Sequence, residues 1–164
     1  MKFSKKSRYG VAALIDLAVN SKNGHVALGS IAERNEISPQ YLEQVFASLR
    51  RAGIVKSVKG SQGGYLLKYP SSSITVASII QALEGTYYLD DEETKTEESA
   101  AGIAETIQED IVDRVNHGLD QILQNLTLAD LEESFQERQS GGQEMYYIEP
   151  VQSLVEAVLR IGSE

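Results

Sequence analysis

The sequence predicts a mainly α-helical fold that carries one two-stranded β hairpin and one long helix. Three observations predict it. Apolar residues recur at helical spacing along most of the 164 residues. Two short β-prone runs, 54–58 and 65–67, flank Gly60-Ser61-Gln62-Gly63-Gly64, a tip that cannot be helical and carries little bulk. Finally, Ile103, Ile107, Ile111, Val115, Leu119, Ile122 and Leu126 form a stripe at steps of four and three, in a rod longer than the mean globular helix.

Taken in order, Ser4 can cap a first helix running to about Asn20. Its apolar positions, from Tyr9 to Val19, are nearly continuous and suggest burial on more than one side. Lys2, Lys5, Lys6 and Arg8 crowd its start. Cations there oppose the helix dipole, so they need a compensating anion, which a phosphate backbone would provide. The alternative is a basic, frayed terminus without a ligand. After a loop over 21–26, residues 28–35 make a short helix presenting Leu28, Ile31 and Ala32, without a good cap at its start. A break at Glu36-Ile37 leads to Ser38, a capping residue, and Pro39, suited to a first turn. Tyr41, Leu42, Val45, Phe46 and Leu49 then recur at helical spacing until Gly53 stops the helix. A helix, a short turn and a helix followed at once by a glycine-tipped hairpin is the winged form of the helix-turn-helix, a major-groove reader. An ordinary helical hairpin would look similar, but it has no wing.

Thr75 can cap a fourth helix to Glu84, with Val76, Ile79, Ile80 and Leu83 inward and Gly85 at its end. Residues 90–101 read as an acidic surface loop. Residues 103–126 span about 36 Å as a helix. Val112 and Leu123 widen its stripe enough to face both its own domain and a partner, which makes this the expected homodimer element; a long internal core helix is the other reading. Thr127 to Asp130 resembles a capping box that starts a shorter helix including Leu131. A polar loop over 136–143, an apolar patch Met145-Tyr146-Tyr147-Ile148 and a last helix over 151–161 complete the chain. That last helix either folds back on the body or serves another contact. The expected segments are a DNA-binding domain (1–85), the acidic loop (86–102), the dimerisation helices (103–135) and a C-terminal loop and helix (136–164).

The net charge of -9, taken over the whole chain, is adverse to nucleic acid, yet its distribution is not. Residues 1–70 hold 11 Lys and Arg against 4 acids, or +7; residues 71–164 hold 4 against 20, or -16. Phosphate attraction follows the local field, screened beyond about 10 Å, so a remote acidic body does not prevent binding. The chain has no cysteine, which removes disulfides, a thiol nucleophile and thiolate metal sites. No run approaches a membrane span, and no apolar segment of signal-peptide character follows the N-terminal charges, so a cytoplasmic protein is expected. His25 and His117 lack recognisable partners, and Asp90 to Glu93 lack a positioning scaffold. No metal, cofactor or enzyme activity is expected.

Candidate contacts follow from position. Gln40, Glu43 and Gln44 lie near the start of the second helix of the motif, within reach of base edges; Gln can pair with adenine and Glu can accept from the cytosine amine. Tyr41 either reaches phosphate or lies against the first helix. Arg50 and Arg51 either favour the helix dipole alone or contact phosphate. Lys56 and Lys59 flank the wing tip, where Gly60, Ser61, Gln62 and Gly63 can approach a groove and Lys59 can border the minor groove. Lys5 and Arg8 join them from the first helix. The glycine string lacks the spacing of a nucleotide-binding loop. Tyr65 is expected to anchor the hairpin.

The runs SPQYLEQVFASLRRAGIVKSVKGSQGGYLL (38–67), SKKSRYG (4–10) and IIQALEG (79–85) together resemble the Rrf2 family of bacterial winged helix-turn-helix regulators over about residues 1–135. The resemblance implies a helical dimer with the long helix crossing its mate, binding palindromic operators in double-stranded DNA. It carries base contact onto Gln40, Glu43 and Gln44 and wing contact onto Lys59, commonly arginine in iron-sulfur members. Many members hold an iron-sulfur cluster through three cysteines in the loop before the long helix; residues 85–101 here have none. The chain is instead similar to the cysteine-free branch that represses cysteine metabolism, through 83–85, 127–131 and 142–148. That branch works with the cysteine synthase CysK, sensing O-acetylserine; its chain ends near the tyrosine-rich patch, whereas 149–164 continue here. Two alternatives stand beside it: a regulator of another pathway with a different signal, and an adaptor that keeps the fold without binding DNA. Salt-dependent binding to a palindromic duplex separates the last from the others.

Overall fold

The computed structural model describes residues 2–89 and 101–141. The expected acidic stretch 90–100, the patch 145–148 and the last helix 151–161 lie outside the described residues. Ser4 accepts from the Ser7 amide and opens helix α1 (Lys5–Asn20). Helix α2 (Leu28–Arg34) starts without a side-chain cap, as its sequence suggests. Helix α3 (Pro39–Arg51) starts at Ser38, whose hydroxyl accepts from the Tyr41 amide at 3.5 Å.

Helices α2 and α3 end in the same way. After α2, the Ile37 amide donates to the Ala32 carbonyl (2.9 Å) and the Glu36 amide to that of Glu33 (3.3 Å). After α3, the Ile54 amide donates to the Leu49 carbonyl and the Gly53 amide to that of Arg50, each at 3.0 Å. Both are Schellman closures, in which the turning residue adopts a left-handed conformation. Gly53 does so at φ 76°, and Glu36 at φ 53°. The buried Ile37 and Ile54 follow each turn into the core.

Strands β1 (Val55–Val58) and β2 (Gly64–Leu67) pair antiparallel, with Val55 opposite Leu67 and Val58 opposite Gly64. Each is displaced by one residue from its sequence-based start. An additional bridge joins Val26 to Tyr65: the Val26 amide donates to the Tyr65 carbonyl (3.0 Å), and the Tyr65 amide to that of Val26 (2.8 Å). The segment before α2 is therefore stitched to the wing. A Cβ at Gly64 would lie 2.4 Å from the Val26 carbonyl oxygen, so this approach requires glycine.

A 3-10 turn (Ser71–Ser73) leads to α4 (Val76–Glu84), capped by Thr75 and ended by Gly85. The long helix is composite: α5 (Ala101–Ile107), a π segment π1 (Gln108–Asp113) and α6 (Arg114–Asn125). Leu126 is its extended C-cap. Thr127 and Asp130 form the expected reciprocal box, with Thr127 N donating to Asp130 Oδ2 (2.7 Å) and Asp130 N to Thr127 Oγ1 (3.2 Å). Helix α7 (Leu128–Gln139) runs into the stretch expected to be loop from residue 136. No Gly or Pro interrupts it before Gly141. The chain divides into two units, Met1–Glu132 and Glu133–Glu164.

The first unit holds the core. Ala13, Leu14 and Leu17 of α1, Ile31 of α2, Leu42, Val45, Phe46 and Leu49 of α3 and Ile79 of α4 are almost wholly buried in one cluster, against which Tyr65 packs. Phe46 and Tyr65 meet edge to face at 4.8 Å between centroids, so Tyr65 anchors the wing as expected. A second cluster joins Val76, Ala77, Ile80 and Tyr87 to Leu119, Leu123 and Leu126. The fold is mainly α, with a two-stranded wing and one long, composite helix.

Candidate nucleic-acid interface

Because α3 buries Leu42, Val45, Phe46 and Leu49, helical periodicity turns Gln40, Glu43 and Gln44 outward, and all three are exposed. The wing follows two residues after Ala52 and presents Lys56, Lys59, Gly60, Ser61 and Gln62 to solvent. Gly63 is half-buried, its amide donating to the Gly60 carbonyl at 3.1 Å. The His25 Nε2 donates to the Gln62 carbonyl at 2.5 Å, so the loop between α1 and α2 steadies the wing tip as well as strand β2.

The basic start of α1 finds an anion within its own chain. The Glu84 Oε1, at the end of α4, accepts from the Ser4 amide (3.0 Å), from the Ser7 hydroxyl (2.6 Å) and from the Ser4 hydroxyl in a short contact. Bonds from Ser4, then from Ser7, hold the Glu84 carboxyl below the usual carboxylate range. This carboxylate answers the helix dipole that Lys5, Lys6 and Arg8 oppose. Lys5 lies over the Tyr9 ring, 5.3 Å from its centroid, and Arg8 over that of Phe3 at 5.1 Å. Tyr41 meets Tyr9 of α1 edge to face at 5.7 Å.

Two clefts flank α3. On the α1 side, Lys6, Tyr41, Gln44, Ser48 and Arg51 line a cavity of about 350 Å³. On the wing side, Glu43, Arg50, Ser57, Val58 and Tyr65 line one of about 410 Å³. Arg50 and Arg51 are neighbours about 100° apart around the helix, which sends them to opposite clefts. Lys6, one of the basic residues expected at the start of α1 to meet a phosphate backbone, is brought to this cleft by helical phase. It lies one turn before Gly10 on the face that buries Ala13, Leu14 and Leu17, the face that packs on α3. Its Nζ donates to Ser48 Oγ at 3.3 Å.

The stripe of the long helix is divided. Ile103, Ile107, Ile111, Val115 and Ile122 are 41–67 % exposed, whereas Leu119 and Leu126 pack with Leu123 on α4. Above that contact, Tyr87 and Tyr88 both donate to Asp120 Oδ1, at 2.6 and 2.8 Å, and Gln124 donates to the Tyr87 hydroxyl at 3.1 Å. The two phenols hold the Asp120 carboxyl below its usual range. Burial, then the bond to Asp120, pushes the Tyr87 hydroxyl well above its own.

A polar face on α3, a basic wing beside it and a helix-turn-helix frame define a winged DNA-binding module. The chain matches the Rrf2 family, described as iron-dependent transcriptional regulators, over residues 3–134. It is 39% identical over 133 residues to an HTH-type transcriptional regulator of Haemophilus influenzae, covering 80% of this chain and 86% of that one. Among solved structures it is similar to CymR, the global cysteine regulator of B. subtilis (36% identity, TM-score 0.69, 82% of this chain and 98% of that one). It is also similar to IscR of T. potens (35% identity, TM-score 0.56, 89% and 93%). The chain belongs to the Rrf2 family of DNA-binding regulators. These relatives are regulators and not enzymes, and so is this chain.

The family's iron does not find a thiolate site here. The 164 residues include no cysteine, and among the described residues no group of three or more His, Cys, Asp or Glu could hold a metal. Among the same residues no helix is long and apolar enough to cross a membrane.

Proposed function

We propose that the chain is a homodimeric repressor that reads a palindromic operator in the cytoplasm and controls genes of cysteine and sulfur metabolism. The observation that carries the reading is the set Gln40, Glu43 and Gln44, exposed on the first turns of α3 beside a wing presenting Lys56 and Lys59. These side chains offer the donors and acceptors that base edges recognise, and Lys59, with Gly60 to Gly63, borders the adjoining groove. Arg50, Arg51, Lys5 and Arg8 supply backbone attraction. The exposed Ile103, Ile107, Ile111, Val115 and Ile122 face a second copy, which doubles a small contact and matches a two-fold operator.

The pathway rests on similarity to CymR and on a cysteine-free chain that cannot hold a thiolate-bound cluster. The resemblance to the cysteine-free branch of the family supports cysteine synthase as a candidate partner. Similarity to IscR at nearly the same identity favours a second reading, a regulator of another pathway with another signal. Genome-wide mapping of bound sites in the native organism decides between them. Inverted repeats upstream of sulfur-uptake and cysteine-synthesis genes are expected. Repeats confined to other operons select the second reading, and no enriched repeat at all overturns both.

A further inference from the structure

The cleft between α1 and α3 has a composition that the wing-side cleft lacks. Lys6 and Arg51 place two cations in it, with the Ser48 and Tyr41 hydroxyls and the Gln44 amide beside them and no carboxylate in its lining. The wing-side cleft pairs one cation, Arg50, with one anion, Glu43. The ion pair seen is Arg34 with Asp16 (2.6 Å), and among the described residues no carboxylate pairs with Lys6 or Arg51. The Arg51 guanidinium is exposed and suits the fork geometry of a phosphate, while a lysine adds a point charge. Lys6 is placed rather than wandering: helix α1 is fixed on α3 and α4, and its ammonium already touches Ser48.

We propose that Lys6, Ser48 and Arg51 form a binding site for one backbone phosphodiester of DNA, on the strand bordering the major groove on the α1 side. This deepens the DNA-binding reading above and rests on it. The site fixes how deeply and at what register α3 enters the groove, and it carries no sequence information of its own. Arg50, one residue away, serves the opposite side and has no share in this phosphate.

The test measures duplex affinity against salt for the full chain and for Lys6→Gln, Arg51→Ala, their combination and Arg50→Ala. Lys6→Gln keeps a long polar side chain able to reach Ser48, so a fold defect is separable by thermal melting. Lys6→Gln and Arg51→Ala are each expected to weaken binding about 5- to 10-fold on operator and unrelated duplex alike, and to reduce the salt slope by about one. Their losses are expected to be non-additive, because they share one phosphate, whereas Lys6→Gln and Arg50→Ala add. A duplex in which single phosphates are replaced by neutral methylphosphonates should contain one position per half-site that penalises the wild type and not the double variant. Inorganic phosphate at constant ionic strength should compete no better against the wild type than against the double variant; selective competition would assign the cleft to a free anion and overturn the proposal. Unchanged slopes in both single variants, or no such backbone position, would also overturn it while leaving DNA binding intact. A wild-type chain that binds no duplex removes the underlying reading itself.

Discussion

Glu36 and Gly53 occupy the same place in two copies of one motif, and only one of them is a glycine. A side chain in the left-handed region costs about 1–2 kcal/mol, and glycine forfeits roughly 0.5–1 kcal/mol of unfolded-state entropy in relieving it. Glu36→Gly should therefore raise stability by about 0.5–1 kcal/mol, read as a higher urea midpoint at unchanged slope, with operator affinity unaltered because Glu36 lies in the turn outside both clefts. A lower midpoint would show that the glutamate makes a compensating contact. The break itself was legible in the sequence, since Glu36-Ile37 leads straight to the capping Ser38 and the first-turn Pro39. The left-handed backbone was not legible, because nothing local distinguishes Glu36 from a residue that continues the helix. Glu84 shows the same limit over a longer range: its partners Ser4 and Ser7 lie some 80 residues away, and no periodicity encodes that meeting.

At the scale of elements, the helices with a capping residue and a glycine stop were legible: Ser4, Ser38 and Thr75 begin α1, α3 and α4, and Gly53 and Gly85 close the last two. The Val26–Tyr65 bridge was not, since a single pair of residues has no alternation to read. The π segment was half legible. An α-helix has 3.6 residues per turn, so each four-residue step overshoots by about 40°, and three such steps from Ile103 to Val115 would carry the stripe about 120° around the rod. The wider turn of π1 takes part of that overshoot back, and Ile103, Ile107, Ile111 and Val115 all remain exposed. The four-residue spacing was visible in the sequence; its structural answer was not. Ile111→Glu places a charge in the middle of this stripe without touching the protomer's core. It should convert the proposed dimer to monomers in sedimentation while leaving the helical signal unchanged, and lower palindrome affinity by at least tenfold more than half-site affinity. A variant that still sediments as a dimer would place the partner surface elsewhere.

Across the whole molecule, the acid-base couplings tie the elements together and set a pH window for stability. Glu84 joins α4 to the start of α1, Asp130 caps α7, and Asp120 joins α6 to Tyr87 and Tyr88. All three carboxyls are held below their usual range by hydrogen bonds, from Ser4, Thr127 and Tyr87 respectively. A carboxylate depressed in the native state contributes stability that is complete above the unfolded-chain value, about 4, and is lost as pH falls through the lower native value. Tyr87 acts at the other end. Its native value is raised, by burial first, so its contribution is complete below the unfolded value of about 10 and fades as pH rises beyond it. The melting temperature should accordingly be flat near neutrality, fall on the acid side below about pH 4 and fall again above about pH 10. Glu84→Gln should lower the neutral plateau by about 1 kcal/mol, allowing for partial solvent screening of the bonds it weakens. It should also make the acid arm shallower, because one of the groups that must be protonated is gone. Tyr87→Phe should leave the acid arm's Glu84 and Asp130 contributions in place and remove the alkaline decline assigned to this phenol. An acid arm unchanged by Glu84→Gln would mean that the carboxylate at the head of α1 does not hold the basic helix in place, and the anion that steadies it would have to come from outside the chain.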